Sequence, residues 1–226
     1  MAVASPRLER YAVAALPVCA LSSAASADII YTQVNQTLTS GQSWSASVNG
    51  NNLNVRADGY SGTTFGYALA FFGGFVTVEN GSVAATGPSS NFYANRFVGG
   101  QEIGAGAAFN AFNYGLLVSA YSYSKFSSSY SYGDWAGEEV QGFVGFRVEN
   151  GDDFNYGWLD ITFKAGSTPT ASELIVGGYA YETDVNTAIV AGATESSGPV
   201  VPGAPTAVGL MGLAAGAAGI RRKRSA

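Results

Sequence analysis

Carboxylates are the side chains of this sequence with the means for acid–base chemistry, because the other usual agents are missing. The 226 residues include no histidine, which removes the Ser-His-Asp triad, an imidazole base and His-ligated zinc or iron. The one cysteine, Cys19, lies in an apolar stretch near the N-terminus, so thiol catalysis and Cys metal sites are excluded from the rest of the chain. What remains is two adjacent pairs, Glu138-Glu139 and Asp152-Asp153. A glycosidase needs two carboxylates facing one bond at roughly 5–9 Å. Neighbouring strand residues point to opposite faces, and Asp152-Asp153 directly follows Asn150-Gly151, so solvated turn charges are the plainer reading. No enzyme is expected. Asp58, Asp152, Asp153 and Asp160 are hard oxygen donors of the kind calcium takes, yet no D-x-D-x-D-G loop holds them. Calcium is the one cofactor the composition admits, and otherwise none is expected.

A second kind of chemistry is stacking. Tyr121, Tyr123, Tyr130, Tyr132 and Trp135 are interleaved with serines. Such a set forms either an aromatic platform for sugar rings or the alternate core residues of a sandwich edge. Gly99-Gly100 has no following Lys-Ser/Thr, so phosphate binding has no support.

The elements that must position these residues are strands. Glycine accounts for 30 of 226 residues, aromatics for 13% and charged residues for only 12%, a composition of poor helix formers. Apolar or β-branched runs recur between Gly, Asn, Asp and Ser clusters from Asp28 to Ala193. The clearest strands are Leu53 to Ala57, Tyr67 to Phe72, Phe75 to Glu79, Leu116 to Tyr123, Gly142 to Val148, Trp158 to Phe163 and Leu174 to Tyr181. In the sixth, Asp160 and Thr162 share a face with Trp158. Asp58-Gly59, Asn80-Gly81 and Asn150-Gly151 read as tight turns, and Gly99 to Ala111 as a loop. Phe-Asn-Tyr-Gly occurs twice, at 112–115 and 154–157, each copy opening a strand. The expected fold is all-β: an antiparallel sandwich of jelly-roll type over residues 28–193.

Charge is segregated. Six of the 11 basic residues, Arg7, Arg10, Arg221, Arg222, Lys223 and Arg224, lie near the two ends. Residues 28–203 carry 15 acidic and 5 basic groups, 5 − 15 = −10. That balance repels phosphate backbones, so nucleic acid is not an expected partner.

The ends read as processing segments. Arg7 and Arg10 precede the apolar run Tyr11 to Leu21, and Ala25-Ser26-Ala27 supplies an A-x-A site, the order of a signal peptide over residues 1–27 with cleavage before Asp28. Leu16-Pro17-Val18-Cys19 also hints at a lipoprotein signal, with Val18 large for its position. After a linker with a proline motif at 194–205, residues 206–226 hold an uncharged stretch, Thr206 to Ile220, and then four basic residues. Fifteen residues reach about 22 Å as a helix, short of a hydrocarbon core near 30 Å. Their Gly/Ala content suits a transient hold, and the basic flank places the rest of the chain outside. A plain stop-transfer anchor has the same topology.

The order Val201-Pro202-Gly203-Ala204-Pro205, apolar helix, Arg221-Arg222-Lys223-Arg224 resembles the PEP-CTERM sorting signal of exported bacterial proteins, in a variant form of the proline motif. Phe143-Val144-Gly145-Phe146, Phe154 to Leu159, Gly178 to Glu182 and Ala191-Gly192 are similar to the distal half of many such proteins. The resemblance implies export, processing by an exosortase-type membrane protease and passing contact with the inner membrane. It implies a non-enzymatic protein of the cell surface or extracellular matrix, with extracellular polysaccharide as a partner. A carbohydrate-binding or adhesive module is the alternative reading.

Overall fold

The computed structural model of this chain describes residues 28–64, 67–86, 92–123 and 128–195. The signal peptide with Ala25 and Ala27, Cys19, the proline motif with Val201, Pro202 and Pro205, and the tail with Arg221, Arg222, Lys223 and Arg224 lie outside the described residues. Among the described residues no helix is long and apolar enough to cross a membrane.

Alternation of apolar and polar residues produces strands throughout. In chain order they are β1 (Ile29–Leu38), β2 (Gln42–Val48), β3 (Asn51–Thr64), β4 (Tyr67–Val78), β5 (Gly81–Val83), β6 (Ala85–Thr86), β7 (Tyr93–Ala94), β8 (Arg96–Phe97), β9 (Glu102–Ile103), β10 (Tyr114–Tyr123), β11 (Ser128–Tyr132), β12 (Glu139–Asn150), β13 (Asp153–Lys164), β14 (Glu173–Glu182) and β15 (Ile189–Val190). One sheet of six strands runs β1-β14-β13-β12-β5, with β8 also on β12. A second, of seven, runs β2-β3-β4-β10-β7-β6, with β11 on β10. Pairing is antiparallel except between β10 and β7. Consecutive strands pair in both sheets, β2-β3-β4 and β12-β13-β14, so much of each sheet is a meander of hairpins.

The two sheets face each other across an apolar core, as in a β-sandwich. Leu53, Val55, Phe72, Val76 and Leu117 of one sheet join Val144, Phe146, Leu159, Ile161 and Phe163 of the other in a single buried cluster. Outside the six-stranded sheet lies a second, smaller cluster. There Ile103 and Ile189, on the β9–β15 ribbon, join Tyr156, Trp158 and Ala180. The Trp158 face foreseen from its alternation is therefore a covered one. Trp158 is held by donating from Nε1 to the Ala193 carbonyl at 3.1 Å.

Turn chemistry explains the hairpins. Asn49 (φ 47°) and Gly50 (φ 79°) both adopt positive φ between β2 and β3, the requirement of a type I′ turn. Gly151 (φ 68°) does the same work between β12 and β13, and Asn80 (φ 44°) between β4 and β5. The expected turn at Asp58-Gly59 is absent: both residues sit inside β3, paired with Gly73 and Phe72. Glycine is needed at 59 for a different reason, because the Ser40 side chain occupies the space a Cβ would take. The two strands expected at 67–72 and 75–79 are one, β4, since Gly73 and Gly74 both keep their places in the ladder. Gly99 to Ala111 holds only the short β9 and a bridge at Phe109, and is otherwise loop and turn.

The two Phe-Asn-Tyr-Gly copies have opposite fates. Asn113 is exposed, whereas Asn155 is 1% exposed and fully employed. Its Nδ2 donates to the Glu182 and Thr183 carbonyls at 3.0 and 2.9 Å. Its Oδ1 accepts from Asn49 and Asn150, at 3.1 and 3.0 Å. One side chain thus ties the β2–β3 turn of one sheet to the β12–β13 turn and β14 end of the other. Asn155→Ala should lower stability by about 2–4 kcal/mol, since it strands several buried polar groups at once. Asn113→Ala should change it by less than about 0.5 kcal/mol. Urea denaturation of the two variants measures the contrast.

Candidate functional site

The outer face of the seven-stranded sheet follows from its inner one. Leu53, Val55 and Ala57 of β3 and Phe72, Val76 and Val78 of β4 are buried. Their alternates, Asn54, Arg56, Asp58 and Tyr60 on β3 and Phe71, Gly73, Phe75 and Thr77 on β4, therefore point away from the core. The register then lines up a row across four strands: Tyr60 opposite Phe71, Phe71 opposite Tyr121, and Tyr121 opposite Tyr130. Three strand spacings make the row about 14 Å long. The next row contains Asp58, Gly73, Ser119 and Tyr132. The Phe71 and Tyr121 rings are 5.1 Å apart at 40°, and Tyr121 and Tyr132 meet edge-on at 6.2 Å. Tyr60 and Tyr132 are half open to solvent, at 52% and 50%, and Tyr123 is 37% exposed beside them.

Two glycines let these rings lie down. A Cβ on Gly62 would collide with the phenol end of Tyr60, and a Cβ on Gly73 would meet Phe71 Cζ at 2.7 Å and Phe75 Cε2 at 2.8 Å. The side chains of Tyr60, Phe71 and Phe75 thus fold along their own strands over a neighbouring glycine. An aromatic ring lying along a sheet offers its face to solvent instead of its edge, and the face is what stacks on an apolar surface.

Polar groups border the row. Asn54, Arg56, Phe75, Thr77, Asn113 and Tyr114 line a depression of about 290 Å³ on the same face. Arg56 is paired with Asp58 there and lies 5.8 Å from the Phe75 ring centroid. A smaller hollow of about 160 Å³, lined by Ala120, Ser131, Phe163 and Thr168 among others, opens on the other face of β10, between the sheets, and does not border the row.

Of the five residues expected to form a platform, the fold brings four into this register. Tyr121 and Tyr123 share a face by even spacing on β10, and Tyr130 and Tyr132 occupy the matching positions of β11. Trp135 does not belong. It is fully buried in the main core and donates from Nε1 to the Ala94 carbonyl at 3.1 Å. The reason is local: Trp135 follows Tyr132 by an odd interval, in a turn that folds inward beyond the end of β11. Sequence reasoning missed Tyr60, Phe71 and Phe75. The spacing Phe71-Gly73-Phe75 marks one face of a strand, but only the register shows that this face meets Tyr121.

The carboxylates do not converge. Glu138 and Glu139 are exposed, and Glu139 pairs with Lys164 at 3.4 Å. Asp152 and Asp153 lie at the opposite end of the β12–β13 hairpin, about 35 Å away along the strand. Asp153 accepts from Asn186 Nδ2 at 2.6 Å. Asp58 lies on the outer face of one sheet and Asp160 on that of the other. The four proposed calcium donors therefore share no site, and among the described residues no group of three such ligands is placed to hold a metal ion.

Asp160 is half-buried, and desolvation pushes its carboxyl above the usual aspartate range, against a lowering hydrogen bond from Gln141 Nε2 at 3.2 Å. A raised carboxyl pKa favours the folded protein in acid, and that contribution is lost as pH rises through the folded-state value. Asp160→Asn keeps the acceptor for Gln141 and removes the buried charge. It should raise the thermal midpoint at neutral pH and leave it unchanged in acid, which melting curves at the two pH values will show. No protein-family model, no curated protein and no solved structure matches this chain.

Proposed function

We propose that this is an exported, non-enzymatic protein of the cell surface or extracellular matrix, which binds an extended neutral polysaccharide across the outer face of its seven-stranded sheet. The aromatic row carries the reading. Pyranose rings have apolar C–H faces that stack on aromatic ones, and Tyr60, Phe71 and Tyr121 stand in line across adjacent strands. Tyrosine hydroxyls of the row and the Asn54 and Asn113 side chains beside it supply hydrogen-bond partners for sugar hydroxyls. A row about 14 Å long is longer than one sugar ring, so a chain lying across the strands fits it better than a monosaccharide.

Charge favours a neutral glycan over an acidic one. Arg56 is the one basic group on this sheet among the described residues, and Asp58 already pairs with it. The surrounding chain carries −10 over residues 28–203, which disfavours a polyanion.

Export rests on the ends: the leader up to Ala27, and the proline motif, short apolar segment and basic cluster after Val201. In this reading a jelly-roll-like sandwich stands between a removed signal peptide and a short C-terminal membrane helix. An exosortase-type protease acts on the tail, and the mature chain stays in the envelope or its polysaccharide.

The binding test is affinity electrophoresis through gels containing neutral β-glucans, galactomannan or, as the acidic comparison, alginate. The protein should be retarded by at least one neutral polymer and not by alginate. Tyr121→Ala should weaken retardation about tenfold, as loss of one stacking contact of roughly 1.4 kcal/mol implies. Gly73→Ala should weaken it while leaving the melting temperature nearly unchanged, because its Cβ only pushes on the ends of two rings. Failure to bind any polymer would sink the saccharide reading. For export, intact mass of the protein from envelope and medium should give a chain that begins at Asp28. A chain that keeps Arg221 to Ala226 would make the tail a lasting anchor.

A further inference from the structure

The aromatic surface of the seven-stranded sheet has a corner. Tyr60, Phe71 and Tyr121 run across the strands, but from Phe71 the surface also continues along β4. A Cβ on Gly73 would meet Phe71 Cζ and Phe75 Cε2 at 2.7 and 2.8 Å, so the two rings reach toward each other over this glycine from either side. Pairing runs perpendicular to the strands. The step from Phe71 to Phe75 therefore leaves the row at a right angle.

Phe75 leads into the depression of about 290 Å³, a volume close to the lower end of the usual range for ligand clefts. The register there sets Asn54 opposite Thr77 and Thr77 opposite Tyr114. Tyr114 is backed by Phe112 and Phe92, whose ring centroids lie 5.9 and 6.2 Å from its own, and so stands as a firm wall. Asn113 is fixed by its backbone carbonyl, which accepts from Val78 N at 2.8 Å, and the residue is exposed. No hydrogen bond among the described residues engages the side chains of Asn54, Thr77 or Asn113. Two amides and a hydroxyl, each able to donate and to accept, thus gather beside an aromatic ring and are free for a ligand rich in hydroxyls.

We infer that this depression seats a neutral sugar branch of the polysaccharide whose main chain lies along the row. The inference rests on the polysaccharide reading of that row and narrows its substrate to a branched polymer. A sugar stacked on Phe71 stands at the corner. Its neighbours in the main chain lie over Tyr60 and Tyr121, and a further glycosidic bond from it directs a branch residue over Phe75, where Asn54, Thr77 and Asn113 meet the branch hydroxyls. An unbranched chain along the row passes the depression by. The branch is uncharged, because Arg56 at the border of the depression is already matched by Asp58.

Affinity electrophoresis with matched polymers tests this. One pair is galactomannan and the same polymer trimmed of galactose by α-galactosidase; the other is a β-1,3-glucan with single-glucose branches and a linear one. In the pair that the protein binds, the branched polymer should have a dissociation constant about fivefold lower than the linear one, the scale of one hydrogen bond. Asn54→Ala combined with Asn113→Ala should abolish that preference and leave affinity for the linear polymer within about twofold, with the melting curve unchanged. Thr77→Val, of the same shape without the hydroxyl, should lower the preference by itself. Tyr121→Ala, in contrast, should weaken both polymers of a pair alike. Equal retardation by branched and linear polymers overturns the branch inference and leaves the row reading standing. So does a preference that both the Asn54/Asn113 variant and Thr77→Val retain. No retardation by any of the four polymers overturns both readings.

Discussion

Phe72 of the seven-stranded sheet and Phe163 of the six-stranded one meet inside the sandwich with ring centroids 5.9 Å apart. That contact, and the buried cluster around it, removes apolar surface from water and is the main source of stability in a fold of this kind. It also fixes directions. Once Phe72 must point inward, Phe71 and Gly73 must point outward, because a strand alternates without choice. Once Phe72 is paired with Ala120 and Gly59, Phe71 stands between Tyr121 and Tyr60. The candidate binding row is thus a by-product of how the core is packed, and a one-residue slip of β4 would bury it.

The two outer faces of the sandwich have been treated differently. That of the six-stranded sheet is covered by the β9–β15 ribbon and its loop, over Trp158 and Tyr156. Arg147 is held there between the Phe109 and Phe154 rings, 4.8 and 4.2 Å from their centroids, and donates from Nε to Ser82 Oγ at 2.8 Å. The outer face of the seven-stranded sheet keeps Tyr60 and Tyr132 half exposed. Exposed aromatic groups gathered on one face of a sheet are the basis of the binding proposed for it. A covered face stabilises, and an open one is available.

Much of the strand pattern was legible in the chain, because the period of two and the Asn-Gly punctuation are local. The seven regions from Leu53 to Tyr181 that read as strands fall on strands, Glu79 excepted, although two of them merge across Gly73-Gly74. Asp58-Gly59 misled because a glycine demanded by a neighbour's side chain looks the same in sequence as one demanded by a turn. Trp135 misled for a similar reason: it is close in sequence to four tyrosines of the open face, but its odd spacing and the turn before it send it inward. β1 and β2 were not legible as strands, since their polar residues hide the alternation.

That the folded part is all-β, acidic and without histidine could be read from the sequence alone. Those properties depend on residue types and short spacings. The tertiary structure alone sets Tyr60, Phe71 and Tyr121, up to 61 positions apart in the chain, side by side, and places β1 beside β14 at one end of the six-stranded sheet. Both are consequences of register and strand order, which are set by the global fit of two apolar faces and are written in no local stretch of the chain.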